Sequence, residues 1–307
     1  MVHIRIGIHT SRAGSLEKAA LRAHELRANT FQIFSASPRQ WRANPLDPDD
    51  VRRFQEARRR FDLKPLAIHV NYLINLASLD PVIRHNSIRA FRGELERAAK
   101  IGAEYLVTHP GNYKLWTAEE GIAAFVLGLN EAAQGLDLAG LTVLIENTVG
   151  AGAQLGGKFS ELRAMRDLLV QLNDVPIGYC LDTCHLFASG FDISSALGLT
   201  KTLQEADSTL GLEHVHVIHA NDSKGALGSR LDRHANIGHG QIGEEGFGRI
   251  LKHPKLRHKP FILETPVDEE GDDHRNLEAL RRLAASHRGK RSKLDSVVPQ
   301  PFPEVPS

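Results

Sequence analysis

Short apolar runs alternate along this chain with longer segments in which apolar residues recur at helical spacing. The eight runs are Ile4–Thr10, Thr30–Ser35, Pro65–Val70, Tyr105–His109, Thr142–Asn147, Ile177–Asp182, His214–Ala220 and Pro260–Glu264. The segments between them include Leu16–Ala28, Asp49–Phe61, His85–Ile101, Thr117–Leu136, Glu161–Leu172 and Ser194–Thr209. Repeated β-α units imply parallel strands, because each helix returns the chain to the same edge of the sheet. The pattern therefore predicts an α/β fold, a closed TIM (β/α)8 barrel, with an open doubly wound sheet as the alternative.

The length and charge of the chain suit a single catalytic domain. Of its 307 residues 41% are hydrophobic and 24% are charged, which fits one barrel over residues 1–286. Residues 287–307 are basic and then rich in proline, so we expect a flexible tail without a catalytic role. Lys and Arg number 38 against 37 Asp and Glu. Any affinity for nucleic acid must therefore come from a local basic surface.

The sequence also bears on the compartment. It contains no apolar run long enough to span a bilayer, and its amino terminus lacks the features of a signal peptide. Its two cysteines, Cys180 and Cys184, lie close together in one apolar segment, where we expect buried structural thiols. The absence of a disulfide framework favours a reducing environment. We expect a cytoplasmic protein that does not contact membranes.

Side chains that bind metals stand at the carboxyl ends of six consecutive predicted strands. In a β/α barrel these ends form the active-site face, so we expect the side chains to converge there. Buried charges need partners of opposite sign, and metal ions provide them. With neighbours in the following loops, the candidate ligands are His69, His109, Glu146, Asp182, His185, His219, Asp232, His234 and Glu264.

The chemistry of these side chains indicates the kind of metal. Imidazole and carboxylate together suit zinc, manganese or iron better than magnesium or calcium. Carboxylates also bridge two metals at the roughly 3.5–4 Å separation used in phosphodiester hydrolysis. Asp232 and His234 would complete a third metal with His185. Nine ligands serve three metals if Glu146 or Asp182 bridges.

Other histidines near these strands are less suited to bind metal. His219 faces the predicted interior of the barrel, whereas His214 and His216 lie on the opposite face of the same strand and are excluded. His9 ends the first strand, where we expect a neighbour of the site rather than a ligand.

Seven motifs surround the candidate ligands. They are Tyr72–Ala77, His109–Gly111, Glu146–Thr148, Cys180–Gly190, Asn221–Lys224, Gly228–His234 and Glu264–Pro266. Together they resemble the endonuclease IV family of apurinic/apyrimidinic endonucleases, over the part of the chain from Gly7 to about Glu264. The resemblance implies a monomeric DNA-repair enzyme on a TIM barrel with three zinc ions, for which manganese can partly substitute.

The resemblance further implies how the ligands divide and what they do. By this resemblance His69 and His109 hold the first metal, and Glu146 bridges it to the second. Asp182, His219 and Glu264 hold the second metal. His185, Asp232 and His234 hold the third. The family cleaves the phosphodiester 5′ to an abasic site in duplex DNA, leaving a 3′-hydroxyl and a 5′-deoxyribose phosphate, and trims blocked 3′ ends. A metal-bound hydroxide would be the nucleophile, with Glu146 as the catalytic residue that helps to orient it.

DNA contacts are implied for two loops at the same rim. The segment Ser37–Arg42 follows strand two, and the family uses this loop and a tyrosine after the strand-three histidine to contact DNA. The resemblance therefore assigns DNA binding to Arg39, Gln40 and Tyr72. A missing base lowers the cost of extruding the nucleotide, so side chains that fill the gap favour abasic DNA. From the residues alone, an ordinary exposed basic loop is an equal alternative.

Two positions depart from the family pattern. Asn71 stands where the family usually has a small residue, and Ala220 where a larger apolar residue is common; neither removes a candidate ligand.

Two other functions are alternatives to this nuclease. The main one is a metal-dependent sugar isomerase or epimerase, which needs a base over a substrate carbon and gives the third ligand set no task. A non-catalytic binder of damaged DNA would not need a full ligand set.

Overall fold

The structure, a computed structural model, describes residues 4–172 and 175–285. The expected tail over residues 287–307 lies outside the described residues. The strands are β1 (Ile6–His9), β2 (Thr30–Phe34), β3 (Leu66–His69), β4 (Tyr105–Thr108), β5 (Thr142–Glu146), β6 (Ile177–Asp182), β7 (Val215–His219), β8 (Asp222–Ser223), β9 (His234–Ala235) and β10 (Phe261–Leu263).

Eight of these strands close into a parallel barrel in the order β1-β10-β7-β6-β5-β4-β3-β2. Closure occurs where β1 pairs with β10, with Ile6 opposite Phe261 and Ile8 opposite Leu263. Strands β8 and β9 form a separate antiparallel pair in the loop that follows β7. The predicted TIM barrel is thus confirmed, and the open sheet is excluded.

The helices are α1 (Leu16–Glu25), α2 (Pro48–Arg60), α3 (Pro81–Ile101), α4 (Ala118–Ala133), α5 (Phe159–Leu172), α6 (Thr183–Ser189), α7 (Ala196–Leu210), α8 (Gly243–Lys252) and α9 (Asp272–Ala285). Each of the six segments predicted to be helical overlaps one of them. None of the helices in the described ranges is both long and apolar enough to cross a membrane.

Helix α3 begins earlier than the apolar pattern predicts. Its N-cap is Asp80, whose carboxylate accepts hydrogen bonds from the backbone N–H groups of Val82 (3.0 Å) and Ile83 (2.9 Å). Pro81 occupies the first helical position, where its missing N–H is not needed. The polar capping signal, rather than the first apolar residue, therefore sets the start of this helix.

The interior of the barrel contains a small apolar layer below the candidate ligands. Its buried members are Ala67, Val107, Leu144, Cys180, Val217 and Ile262. Each lies two residues before a candidate ligand, and side chains two apart on a strand share a face. This alternation directs His69, His109, Glu146, Asp182, His219 and Glu264 toward the same end of the barrel.

Candidate metal centre

Glu146 lies at the centre of the candidate ligands and is fully buried. Its Oε2 is 3.1 Å from Nε2 of His69 and 3.2 Å from Nε2 of His109. Its Oε1 is 3.0 Å from Nδ1 of His219 and 3.5 Å from Nδ1 of His185. The two carboxylate oxygens thus face different pairs of histidines, which is the arrangement that a bridging carboxylate needs.

The structure brings all nine candidate ligands together in three groups. Within each group, the ligand atoms lie within 4.8 Å of one another. The groups are His69, His109 and Glu146; Glu146, Asp182, His219 and Glu264; and His185, Asp232 and His234. They coincide with the division that the family resemblance implies. His109 and Glu264 lie one residue beyond β4 and β10, so the barrel rim extends slightly past the paired strands.

The third group contains the clearest unmet requirement for a ligand. Oδ1 of Asp232 is 3.3 Å from Nε2 of His185 and 3.6 Å from Nε2 of His234. Nε2 of His234 is buried and has no hydrogen-bond partner. A buried nitrogen without a partner costs free energy, and coordination of a cation would satisfy it. The donor set here fits a metal such as zinc.

Three histidines have the same orientation, with Nδ1 bonded to a backbone carbonyl and Nε2 turned toward the site. Such bonds fix the ring and its tautomer, and they leave the second nitrogen available to a metal. The pairs of histidine and carbonyl residue are His69 with Val70 (2.8 Å), His185 with Asn147 (2.9 Å) and His234 with Glu264 (3.0 Å).

Gln32 on β2 belongs to the site although the sequence reasoning did not identify it. Its buried Oε1 accepts a hydrogen bond from Nε2 of His219 (2.9 Å), and its Nε2 donates to Oε1 of Glu264 (2.6 Å). The same amide nitrogen is 3.1 Å from Nδ1 of His9, whose ring lies 3.8 Å from Glu264. In the sequence, Gln32 could have been noticed as an amide side chain within a mostly apolar strand.

Two asparagines fix the strand ends that carry carboxylates. Oδ1 of Asn147 accepts from the backbone N–H of Asp182 (2.7 Å), and Nδ2 of Asn221 donates to Oδ2 of Asp182 (2.6 Å). Oδ1 of Asn221 accepts from the backbone N–H of Glu264 (2.7 Å). These bonds connect neighbouring strands directly at the site, so the positions of Asp182 and Glu264 are coupled.

The pKa values of the site reflect its concentration of opposite charges. Burial raises the pKa of Glu146, but the charges of His219 and His109 outweigh this effect and hold it well below its ordinary value. Burial lowers the pKa of His185, but Asp182 and Asp232 raise it to about 10. The carboxylates therefore need positive charge beside them, which either protonated imidazoles or metal cations supply.

The two cysteines lie beside the groups. Cys180 is within reach of Glu146 and His219, and Cys184 is within reach of Asp182 and His234. Burial raises the pKa of both thiols to about 12. Because a thiol must lose its proton to bind zinc, these values favour buried thiols over ligands.

The residues expected to bind DNA lie beside the metal groups, but they do not all line the same cavity. Tyr72 is 65% exposed, lines the cavity of about 480 Å³ above the site, and packs edge-on against Phe34 at 5.3 Å. Its backbone N–H donates to the carbonyl of Pro38 (3.1 Å), which ties it to the loop of Arg39 and Gln40. Those two side chains are exposed, and Gln40 lines a neighbouring cavity.

Comparisons with known proteins identify the family and the fold of this chain. Residues 20–286 match the family model described as "Xylose isomerase-like TIM barrel". A probable endonuclease 4 from Solibacter usitatus is 65% identical over 283 residues, which cover 92% of this chain and 98% of that protein. A D-tagatose 3-epimerase-like protein has a TM-score of 0.66 at 20% identity, over 91% of this chain and 97% of its own, which shows a shared fold alone.

A solved structure extends the sequence match to three dimensions. Endonuclease IV from Thermus thermophilus has a TM-score of 0.79 and 36% identity, and the match covers 91% of this chain and 98% of that one. The high identity extends over nearly the whole length of both relatives. The chain therefore belongs to the endonuclease IV family.

Proposed function

We propose that this protein is a metal-dependent endonuclease of DNA repair that hydrolyses the phosphodiester 5′ to abasic sites in duplex DNA. It leaves a 3′-hydroxyl and a 5′-deoxyribose phosphate, and it also trims blocked 3′ ends. The observation that carries the proposal is the convergence of nine imidazole and carboxylate side chains in three groups, in a chain 65% identical to a probable endonuclease 4.

Three zinc ions, with manganese as a partial substitute, are the cofactors we propose. When bound, they supply Lewis acidity toward phosphate oxygens and lower the pKa of water. His69 and His109 would hold the first, Asp182, His219 and Glu264 the second, and His185, Asp232 and His234 the third. The unpartnered Nε2 of His234 and the fixed tautomers of three histidines support this division.

Glu146 has two proposed tasks. One of its oxygens faces His69 and His109 of the first group and the other faces His219 of the second, which supports a bridge between these groups. From the same position its carboxylate would orient the attacking water toward phosphorus. Its complete burial keeps bulk water from competing for these oxygens.

Arg39, Gln40 and Tyr72 are the proposed DNA contacts. Tyr72 presents an exposed aromatic ring beside the cavity, where a base or sugar can stack. Arg39 supplies local positive charge for phosphate contacts in a chain whose formal net charge is only +1. The bond between Tyr72 and Pro38 supports a single contact surface built from both loops.

The test is strand incision of a labelled duplex with one abasic analogue, with and without a chelator. We expect incision on the 5′ side of the lesion that the chelator abolishes, and none on the undamaged duplex. Glu146→Gln should lower kcat at least about a hundredfold, since even residues that only support a ligand contribute 10–100-fold. Glu213→Gln, a surface change beside His214, serves as the matched control and should retain the activity.

One result would overturn the proposal. A protein with all three metals bound that leaves abasic DNA intact is not this nuclease. Activity of the same preparation on a ketose or aldose would then favour the sugar isomerase or epimerase.

A further inference from the structure

We propose that Arg97, together with Glu94, is a positioning residue that fixes the loop of residues 36–43, the β2 loop, for DNA binding. The inference rests on the proposed function, because this loop contains Arg39 and Gln40. Both charged residues lie on α3, on the outer side of the barrel, and neither belongs to the metal groups.

Arg97 holds both ends of the β2 loop with one side chain. Its Nε donates to Oγ of Ser35 (2.9 Å) and its Nη2 to the carbonyl oxygen of Ser35, the residue before the loop. Its Nη1 donates to the carbonyl oxygen of Asn44 (2.7 Å), the residue after the loop. Arg97 is only 8% exposed, so these bonds replace hydration that the guanidinium has lost.

Glu94 completes the arrangement one helical turn away. It is 4% exposed, and its Oε2 accepts from Oγ of Ser35 (2.5 Å). Burial raises the pKa of Glu94, and the hydrogen bond from Ser35 and the charge of Arg97 act against that shift. Arg12 from the loop after β1 also donates to the carbonyl of Ser35. Arg12, Glu94 and Arg97 thus all bond to Ser35 and fix its position.

Apart from the bond that the backbone N–H of Tyr72 donates to the carbonyl of Pro38 (3.1 Å), the middle of the β2 loop has little support from the barrel. Trp41 is 38% exposed, and a cavity of about 800 Å³ lies between the loop and α3, lined by Trp41 on one side and Gly93 and Arg97 on the other. Gly93 has open space where a Cβ would lie. Because the loop does not pack closely on this helix, the bonds at its two ends, together with the bond at Pro38, set its conformation. A loop already fixed in the bound conformation binds more tightly than one that must first be ordered.

The cavity beside this pair also reaches the residue before the second proposed DNA contact. Asn71, which precedes Tyr72, is buried and lines the same cavity as Glu94 and Arg97. Its Oδ1 accepts from the backbone N–H of Leu73 (3.0 Å), so it also shapes the turn that presents Tyr72. Asn71, which departs from the family pattern, thus lies where the turn of Tyr72 meets the cavity beside the β2 loop.

The experiment compares Arg97→Gln with Arg92→Gln, a change on the same helix. Arg92 also donates to backbone carbonyls, those of Ala132 and Gln134, but it lies away from the β2 loop. The chain has two tryptophans, so Trp116→Phe leaves Trp41 as a fluorescent reporter in the loop. Kd and KM for an abasic duplex, kcat at saturating DNA, and acrylamide quenching of Trp41 are measured with the metal-loaded protein.

For Arg97→Gln we expect Kd and KM to rise about tenfold, a change equivalent in free energy to about one charged hydrogen bond. We expect kcat to change less than about threefold. Quenching of Trp41 should increase, while Arg92→Gln matches the parent in every readout. Unchanged Kd and unchanged quenching would overturn the inference. So would a fall in kcat with Kd unchanged, because a positioning role in binding does not predict it.

Two further measurements keep the result interpretable. If Arg97→Gln does not fold by circular dichroism, Ser35→Ala removes the hydroxyl shared by Glu94 and Arg97 and is judged by the same outcomes. If the parent protein does not bind abasic DNA, the proposed function fails. Quenching of Trp41 then still decides whether Arg97 fixes the loop.

Discussion

Gln32 acts on the candidate metal centre through neutral hydrogen bonds. By accepting from Nε2 of His219, its amide oxygen keeps the proton on that nitrogen and leaves Nδ1 facing Glu146 and Glu264. Its amide nitrogen donates to Glu264 at 2.6 Å and so fixes that carboxylate beside His219. One side chain therefore sets the geometry of two candidate ligands of the second metal group.

Replacing Gln32 with Leu should weaken zinc binding without removing a ligand. We expect zinc affinity to fall by about 10–100-fold, since partners that orient metal ligands contribute that much. Competition with a chromogenic chelator measures it. Gln55→Leu is the control. The side-chain amide of Gln55 on α2 likewise makes a hydrogen bond, to the backbone carbonyl of Ile101 (3.2 Å), but it lies away from the site. Equal affinities in both variants would contradict the role given to Gln32.

The ligand residues could be predicted from the sequence, whereas their supporting residues could not. His69, Glu146 and His219 end apolar runs, and the two-residue period of a strand is enough to direct them to one end of a barrel. Gln32 and Asn221 contain amides, which occur in many roles. Their contribution depends on distances between different strands, and only the folded chain supplies these.

At the scale of elements, the loop between β7 and α8 is organised around one carboxylate. Asp222 is fully buried, and its two oxygens accept hydrogen bonds from five backbone N–H groups, those of Ser223, Gly238, Gly240, Ile242 and Gly243. A Cβ on Gly240 would lie 2.4 Å from Oδ1 of Asp222, so only glycine permits this approach. The same loop carries Asp232 and His234, and His234 in β9 pairs with Ser223 in β8.

Asp222→Asn should therefore empty the third metal group selectively. An amide places N–H groups against backbone donors, and each lost or mismatched bond costs about 1–3 kcal/mol. We expect the metal content to fall by about one ion per chain, because His185 alone cannot hold it. Elemental analysis after dialysis measures this. Asp207→Asn, which changes an exposed carboxylate that also accepts a backbone N–H, should keep the full content. Loss of all metals together would contradict a selective role.

Most elements could be predicted from the sequence. The eight barrel strands and six helices were expected from repeated apolar periods, whereas α8 and α9, of 10 and 14 residues, were not among the predicted helical segments. Helix α6 has seven residues, and β8 and β9 have two each, which is too short for a period to stand out. Their places are set by individual side-chain bonds. Asp182 caps the first turn of α6, and Asp222 accepts from the backbone N–H groups of Gly238 and Gly240 in its loop.

At the scale of the whole molecule, closure of the barrel concentrates charge at one end. A chain with a formal net charge of +1 brings four carboxylates and five imidazoles into a single site. The barrel can hold these carboxylates together only while positive charge is present. The stability of the fold and the occupancy of the site are therefore linked through pH.

Removing the metals should make stability fall as the pH rises. The pKa of His185 is about 10 against an ordinary value of 6.5, so its protonated form stabilises the metal-free fold fully below pH 6.5, and this contribution is lost as the pH rises through about 10. The pKa of Glu146 is lowered, so its contribution is present above the ordinary value of 4.5 and does not change in this range. Metal-loaded protein does not lose stability in this way, because neutral imidazole is the form that binds metal.

We therefore expect the difference in Tm between metal-loaded and chelator-treated protein to widen between pH 6.5 and 10, as measured by scanning calorimetry. His214→Gln is the control, since His214 lies at the opposite end of β7 from the site and should leave the widening unchanged. A difference that stays constant or narrows over this range would mean that protons on the site histidines do not take the place of the metals. The charge of the site would then have to be balanced by groups farther from the barrel axis, and the link between closure of the barrel and metal binding would be lost.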